Sequence, residues 1–229
     1  MKIVFTSAGN PKTYTAFFKK HNITVAHVIS SSKFALKAQE AGVDAIVAEG
    51  FEAGGHNGRE ETTTFCLTPA VANVINIPLL AAGGVGSGQA IAAAMALGAD
   101  GVQIGSLFAA CEESSAHINF KNLVFDTKEG DTLLSLKKIA PVRLLKNNFQ
   151  SEVFEKENNG ASAEELKTLL GKGRAKKGIF EGDLISGELE IGQVASQIYV
   201  SKTAKETISQ LAVSYTHLRA HETLMNLVC

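Results

Sequence analysis

Residues Ile77–Phe108, IPLLAAGGVGSGQAIAAAMALGADGVQIGSLF, decide the fold. Ile77–Ala82 is an apolar run without polar alternation, so it reads as a strand buried on both faces. It enters Gly83-Gly84-Val85-Gly86-Ser87-Gly88, where Ser87 or Gly88 starts an alanine-rich helix, Gln89–Leu97, that ends at Gly98. Gly101–Ser106, GVQIGS, is the next strand, again closed by small residues. Apolar strands alternating with helices belong in a parallel sheet with covered faces, because a solvent-facing sheet would alternate apolar with polar residues.

The same unit recurs upstream. Lys2–Ser7 is a strand closed by Ala8-Gly9-Asn10-Pro11, and Lys12–Lys20 suits a helix. Ile23–Ser30 is a second strand, and Ser32–Ala41 a helix with Phe34, Ala35, Ala38 and Ala41 on one face and Gly42 as its cap. Asp44 leads into a third strand, and Leu67–Val74 looks helical. From about Glu112 the strand signal fades. Glu164–Leu170 and Ala204–Leu211 read as helices, separated by the polar, glycine-containing Lys172–Gly192.

With 229 residues and 45% hydrophobic composition, a sizeable globular core is affordable. The formal net charge is -1 with both signs mixed along the chain, which excludes nucleic acid and acidic membrane surfaces as obvious partners. Cys66, Cys111 and Cys229 are odd in number and far apart, so neither a disulfide framework nor a zinc site is expected, and a reducing cytoplasm fits. No stretch approaches the length of a membrane span, and the N-terminus lacks signal-peptide character. Ser214–Cys229, SYTHLRAHETLMNLVC, has no clear relation to what precedes it and resembles translated sequencing-adapter read-through. This tail is expected to be non-native, which sets aside His217, His221 and Cys229; the alternative is an extension of the preceding helix.

Two consecutive strands end in Ala82-Gly83-Gly84 and Gly105-Ser106. At the carboxyl end of a parallel sheet such loops suit an anion such as a cofactor phosphate, because glycine admits close backbone approach. A dinucleotide fingerprint is disfavoured, since Gly84–Gly88 lacks GxGxxG spacing and no acidic residue closes a following strand. Turn glycines without a ligand are the bland reading. The third strand runs into a different loop, Ala45–Gly58, AIVAEGFEAGGHNG, where Gly50, Gly54, Gly55 and Gly58 bracket His56. That loop leaves room for a planar group beside an imidazole able to exchange protons near neutrality.

Glu49 and Glu52 flank this loop. A structural role is expected for Glu52, and Glu49 is left open. His27 lies within an apolar strand, as a core or barrel-lining residue, and His21 looks exposed. His117 stands near Ser114 and Ser115, but no acidic partner is placed, so a serine hydrolase is not expected. Arg174, Lys176 and Lys177 form a basic cluster, either a solvated face or a contact for an anionic substrate.

Taken together, EGFEAGGHNG, the Ile77–Phe108 stretch and EESSAH resemble the nitronate monooxygenase family, formerly 2-nitropropane dioxygenases, from about Lys2 to about Leu211. The resemblance implies a (β/α)8 barrel holding FMN, with phosphate contacts at Gly83, Gly84, Gln103, Gly105 and Ser106, Gly54 and Gly55 near the flavin, and His56 as the active-site histidine. Glu49 is grouped with the cofactor side, and it also fits the related flavin-dependent enoyl-acyl-carrier-protein reductases, which FEGDLISGELEIGQVASQI resembles as well. No metal is expected. Partners would be a nitronate or enoyl thioester with O2 or NAD(P)H. Only about five βα units are found, matching the fourth to eighth of such a barrel. The expectation is an α/β partial TIM barrel over residues 1–126, a helical appendage over 127–212, and the tail over 213–229. An open barrel would self-associate and hold FMN poorly, and an inactive fragment is a further alternative.

Overall fold

A computed structural model of the chain describes the backbone of residues 2–225 and the side chains of residues 2–218. Cys229 therefore lies outside the described residues, as does the side chain of His221. The chain forms two compact units. The first comprises residues 1–51, 60–103 and 213–229, the second residues 52–59 and 104–212.

The first unit is a parallel sheet of five strands, β1 (Ile3–Thr6), β2 (Thr24–Ile29), β3 (Ala45–Glu49), β5 (Leu79–Ala82) and β6 (Gly101–Gln103), in that spatial order. Helices α1 (Thr15–Lys20), α2 (Ser32–Glu40), α3 (Thr64–Ala72) and α4 (Gly88–Ala96) connect them. Their boundaries follow local chemistry. Ser31 caps α2 by accepting from the Phe34 amide at 3.4 Å, Ser87 caps α4 by accepting from Ala90 at 3.2 Å, and Gly42 and Gly98 leave the helix ends at φ +83° and +99°.

The two faces of this sheet differ. Val25, Ile29, Ile46, Ala48, Leu79 and Ala81 pack with Ala35, Ala38, Leu67, Val71 and Ala94 of the helices. The alternate positions, Ala26, Val28, Ala45, Val47, Leu80 and Ala82, form a cluster of strand residues alone. On that second face β1 exposes Ile3 (54%) and Phe5 (53%), so the open edge of the sheet is apolar.

The second unit holds a three-stranded sheet in the order β4-β8-β7, with β4 (Gly55–His56), β7 (Thr132–Ser135) and β8 (Val142–Leu145) all antiparallel. Around it lie α5 (Ser106–Ala109), α6 (Ile118–Asp126), α7 (Asn148–Asn158) and α8 (Ala163–Leu170). The region expected to be helical thus contains strands. Every residue of VRLL in β8 is buried, Arg143 included at 2% exposure, so the strand shows no alternation to read. The glycine loop joins this unit because β4 pairs with β8, Gly55 opposite Arg143 and His56 opposite Val142.

Helix α9 runs from Ala204 to Met225 without a break, so the helix expected over Ala204–Leu211 continues through residues set aside as a tail. Ser214 on it accepts a hydrogen bond from the Gly88 amide at 3.1 Å.

Candidate active site

In the first unit three expected residues fall at one level. Glu49 on β3 pairs with Ala82 on β5, and Ala82 pairs with Gln103 on β6. Because side chains alternate, Glu49 and Gln103 share the face of Val47 and Ala82, opposite the helices. Burial pushes the Glu49 carboxyl up to about 7, so near neutrality it can hold or release a proton.

Beyond Ala82 the chain turns through Gly83 (φ +87°) and Gly84 (φ +74°), two consecutive left-handed residues. Thr64 fixes this turn. Its hydroxyl lies 3.0 Å from the Ala82 carbonyl and 2.8 Å from that of Gly83, and the Gly50 amide donates to Ala82 at 2.9 Å. A Cβ on Gly50 would fall on Thr64, so only glycine allows the approach. Two amides in the first turn of α4 are already committed, Gly88 to Ser214 and Ala90 to Ser87. An anion at this end of the sheet would therefore rest on the glycine turn more than on the helix terminus.

In the second unit His56 is exposed at the end of β4. Its loop is clamped by backbone. A Cβ on Gly54 would fall on Ile191, the Gln193 amide donates to the Glu52 carbonyl at 2.9 Å, and the Gly192 amide donates to the Ser106 hydroxyl at 3.1 Å. At Gly105 no atom lies within 4 Å of the place a Cβ would occupy, so the backbone there faces open space that a ligand can fill.

Sequence reasoning missed Glu188 and Glu190. Glu190 forms a bridge with Leu144 of β8, and its Oε2 lies 2.8 Å from the point where a Cβ on Gly55 would stand. Burial raises its pKa while the His56 charge draws it back. Glu188 is pushed up to about 7 by burial and then by Glu190, against the opposing charge of Arg174. The signal was present in GELEIG, where glutamates alternate with Leu189 and Ile191 as in a half-buried strand.

Other candidates are structural. His27 is 5% exposed and contacts the Thr6 hydroxyl through Nδ1 at 2.7 Å, and burial lowers its pKa so that it is neutral at pH 7. Together with Val25 and Ile29 it takes the helix-covered face, so it is a core residue and not a barrel-lining one. His117 caps α6, its Nδ1 accepting from the Asn119 amide at 3.1 Å. The guanidinium of Arg174 donates to the Leu169, Leu170 and Ser186 carbonyls and stacks on Phe149, while Lys176 pairs with Glu181 and Lys177 with Asp183. The basic cluster is thus spent on local partners. Among the described residues no metal-ligating group occurs and no helix is long and apolar enough to cross a membrane.

The sequence pattern of the family described as nitronate monooxygenase matches residues 1–214. The chain belongs to the nitronate monooxygenase family. A probable nitronate monooxygenase of Staphylococcus saprophyticus is 33% identical over 163 residues, 67% of this chain and 46% of the relative. The chain therefore spans about half the length of the curated relatives it matches. FabK from Thermotoga maritima superposes with a TM-score of 0.90 at 34% identity, covering 99% of this chain and 71% of that one. The nitroalkane oxidase from Streptomyces ansochromogenes follows with a TM-score of 0.78 at 26% identity, covering 96% and 66%. The fold is accordingly that of this barrel family, with the five-stranded sheet left open.

Proposed function

We propose that the protein is an FMN-dependent oxidoreductase that converts alkyl nitronates, with O2, to a carbonyl compound and nitrite. The observation that carries this reading is His56, exposed on a strand pinned to β8, in a chain of a family named for this chemistry. The likeness to a nitroalkane oxidase supports it.

FMN, when bound, supplies the redox chemistry. This chain's residues supply binding and proton handling. In the first unit Gly83, Gly84 and Gln103 would offer phosphate contacts. In the second unit Gly105 and Ser106 would offer phosphate contacts, and Gly54 and Gly55 would leave room for a planar ring. His56 removes the carbon-bound proton of a neutral nitroalkane or orients a nitronate that is already ionised. Glu49, whose carboxyl titrates near 7, belongs to the cofactor side.

A second reading, an FMN- and NAD(P)H-dependent enoyl-acyl-carrier-protein reductase, is favoured by the likeness to FabK over nearly the whole chain and by the placement of Glu49. The two separate in one experiment with FMN in excess. Nitronate-dependent O2 uptake with nitrite release supports the first, and NAD(P)H oxidation dependent on a crotonyl thioester supports the second.

A further inference from the structure

The formal net charge of -1 is divided unevenly along the chain. Residues 1–43 contain six lysines and one acidic residue, Glu40, a local charge of +5, so the rest of the chain carries -6. The even mixture of signs expected from the totals therefore does not hold in the first two βα units. Lys19 is paired with Asp44. Lys2, Lys12, Lys20, Lys33 and Lys37 are exposed, and none of them belongs to an ion pair among the described residues. The last four stand on one layer, because α1 and α2 both pack on β2 and the Pro11–Thr13 turn that leads into α1 packs on α2. Rings share this layer. Tyr14 is 62% exposed, Phe17 58% and Phe34 44%. The Tyr14 and Phe17 rings lie 6.3 and 5.7 Å from that of Phe18, which packs on the sheet core, and Phe17 lies 4.5 Å from the His21 ring. The Lys37 ammonium stands 5.9 Å from the centroid of Phe34. Aromatic rings left outside on two helices of one layer, with unpaired lysines among them, mark an interaction surface.

We propose that α1, α2 and the Pro11–Thr13 turn form a docking face for an anionic lipid bilayer, with the Tyr14, Phe17 and Phe34 rings entering the headgroup layer and the lysines held at its negative charge. Charge complementarity selects this partner, since four unpaired ammonium groups on one layer suit a surface whose negative charge is dense and laterally mobile. The cations are all lysines, and Arg59 is the first arginine of the chain. A lysine is a point charge on a flexible stem that lies along apolar surface while its head stays in water, so ring and charge reach different depths of one interface. Recognition of fixed phosphates, as in nucleic acid, draws instead on the planar arginine fork. Docking through the helices leaves the candidate site of the first unit open, because Glu49 and Gln103 lie on the opposite face of the sheet.

Co-sedimentation of the full 229-residue chain with vesicles tests this. The chain should bind vesicles of phosphatidylglycerol and phosphatidylcholine in equal parts about tenfold or more tighter than phosphatidylcholine alone, and the difference should shrink in about 0.5 M salt. Lys20→Gln together with Lys33→Gln should weaken binding to the anionic vesicles about 25-fold, at about fivefold for each charge. Phe17→Ser should weaken it about tenfold. Lys167→Gln, on α8 of the second unit, should bind as the wild type does. No binding to anionic vesicles, or equal binding to both kinds, overturns the proposal, and so does a loss in Lys167→Gln as large as in the paired lysine variant. Sedimentation velocity without lipid covers the rival occupant: a dimer that Phe17→Ser dissociates assigns the face to a second copy of the chain and likewise overturns the proposal. The substituted residues are exposed, so circular dichroism should show unchanged folds. Should Phe17→Ser not fold, the lysine variants decide the matter.

Discussion

The hydroxyl of Thr64, the first residue of α3, lies 2.8 Å from the carbonyl oxygen of Gly83, so the helix that follows the histidine loop fastens the turn that follows the next strand. Thr64 itself is buried and the contact is part-buried, and valine would keep its shape while removing the hydroxyl donor. Thr64→Val should cost about 1–2 kcal/mol, the usual penalty for a carbonyl left without its partner. Thermal unfolding should show this as a Tm lower by about 2–8 °C.

Two glycines give opposite expectations for the same substitution. Gly55 has φ +74° and faces Glu190 Oε2, so Gly55→Ala is strained and crowded and should destabilise by about 1–2 kcal/mol from the backbone alone. Gly105 meets nothing within 4 Å and does not take the left-handed conformation, so Gly105→Ala should change stability by less than about 0.5 kcal/mol. Urea unfolding of both variants checks the contrast.

If Gly105 borders the phosphate, the same Gly105→Ala change should weaken FMN binding despite its neutral stability. The sheet is open at β1 and β6, so FMN is expected to be held loosely and the comparison calls for fluorescence titration with excess FMN. Equal FMN affinity in variant and wild type would remove Gly105 from the cofactor site.

Glu188 makes stability depend on pH. Its carboxyl titrates at about 7 in the folded chain against an ordinary value of 4.5, so the native state holds the extra proton between those limits. Its contribution is fully present below that window and is lost as pH rises through about 7. Glu188→Gln, permanently neutral, should match the wild type near the bottom of the window and exceed it above, by about 3 kcal/mol at most. A difference in unfolding free energy that is flat across the window would refute this account of Glu188.

The parallel sheet was legible because its strands are continuous apolar runs and its helices end at Gly42 and Gly98, both signals carried by neighbouring residues. The small-residue turns that follow β5 and β6 were legible for the same reason, whereas His56, read as a loop residue, lies on a strand. The second sheet was not legible. β4 is two residues long and contains a glycine, and β8 buries an arginine among leucines, so neither shows a period. Their pairing is made between residues far apart in the chain, which local pattern cannot encode. Glu190 was hidden in the same way, since its meaning depends on Gly55 across that pairing. The continuation of α9 past Leu211 went against its expected break because the residues there carry neither proline nor glycine.

Nitrite release from a neutral nitroalkane, measured in wild type and His56→Ala with FMN in excess, decides whether His56 handles the substrate proton in nitronate chemistry. The wild type should release nitrite, and His56→Ala should do so at a rate lower by about 100-fold or more, with FMN affinity retained. Equal rates in the two proteins, or turnover of a crotonyl thioester with NAD(P)H and none of the nitroalkane, would contradict it.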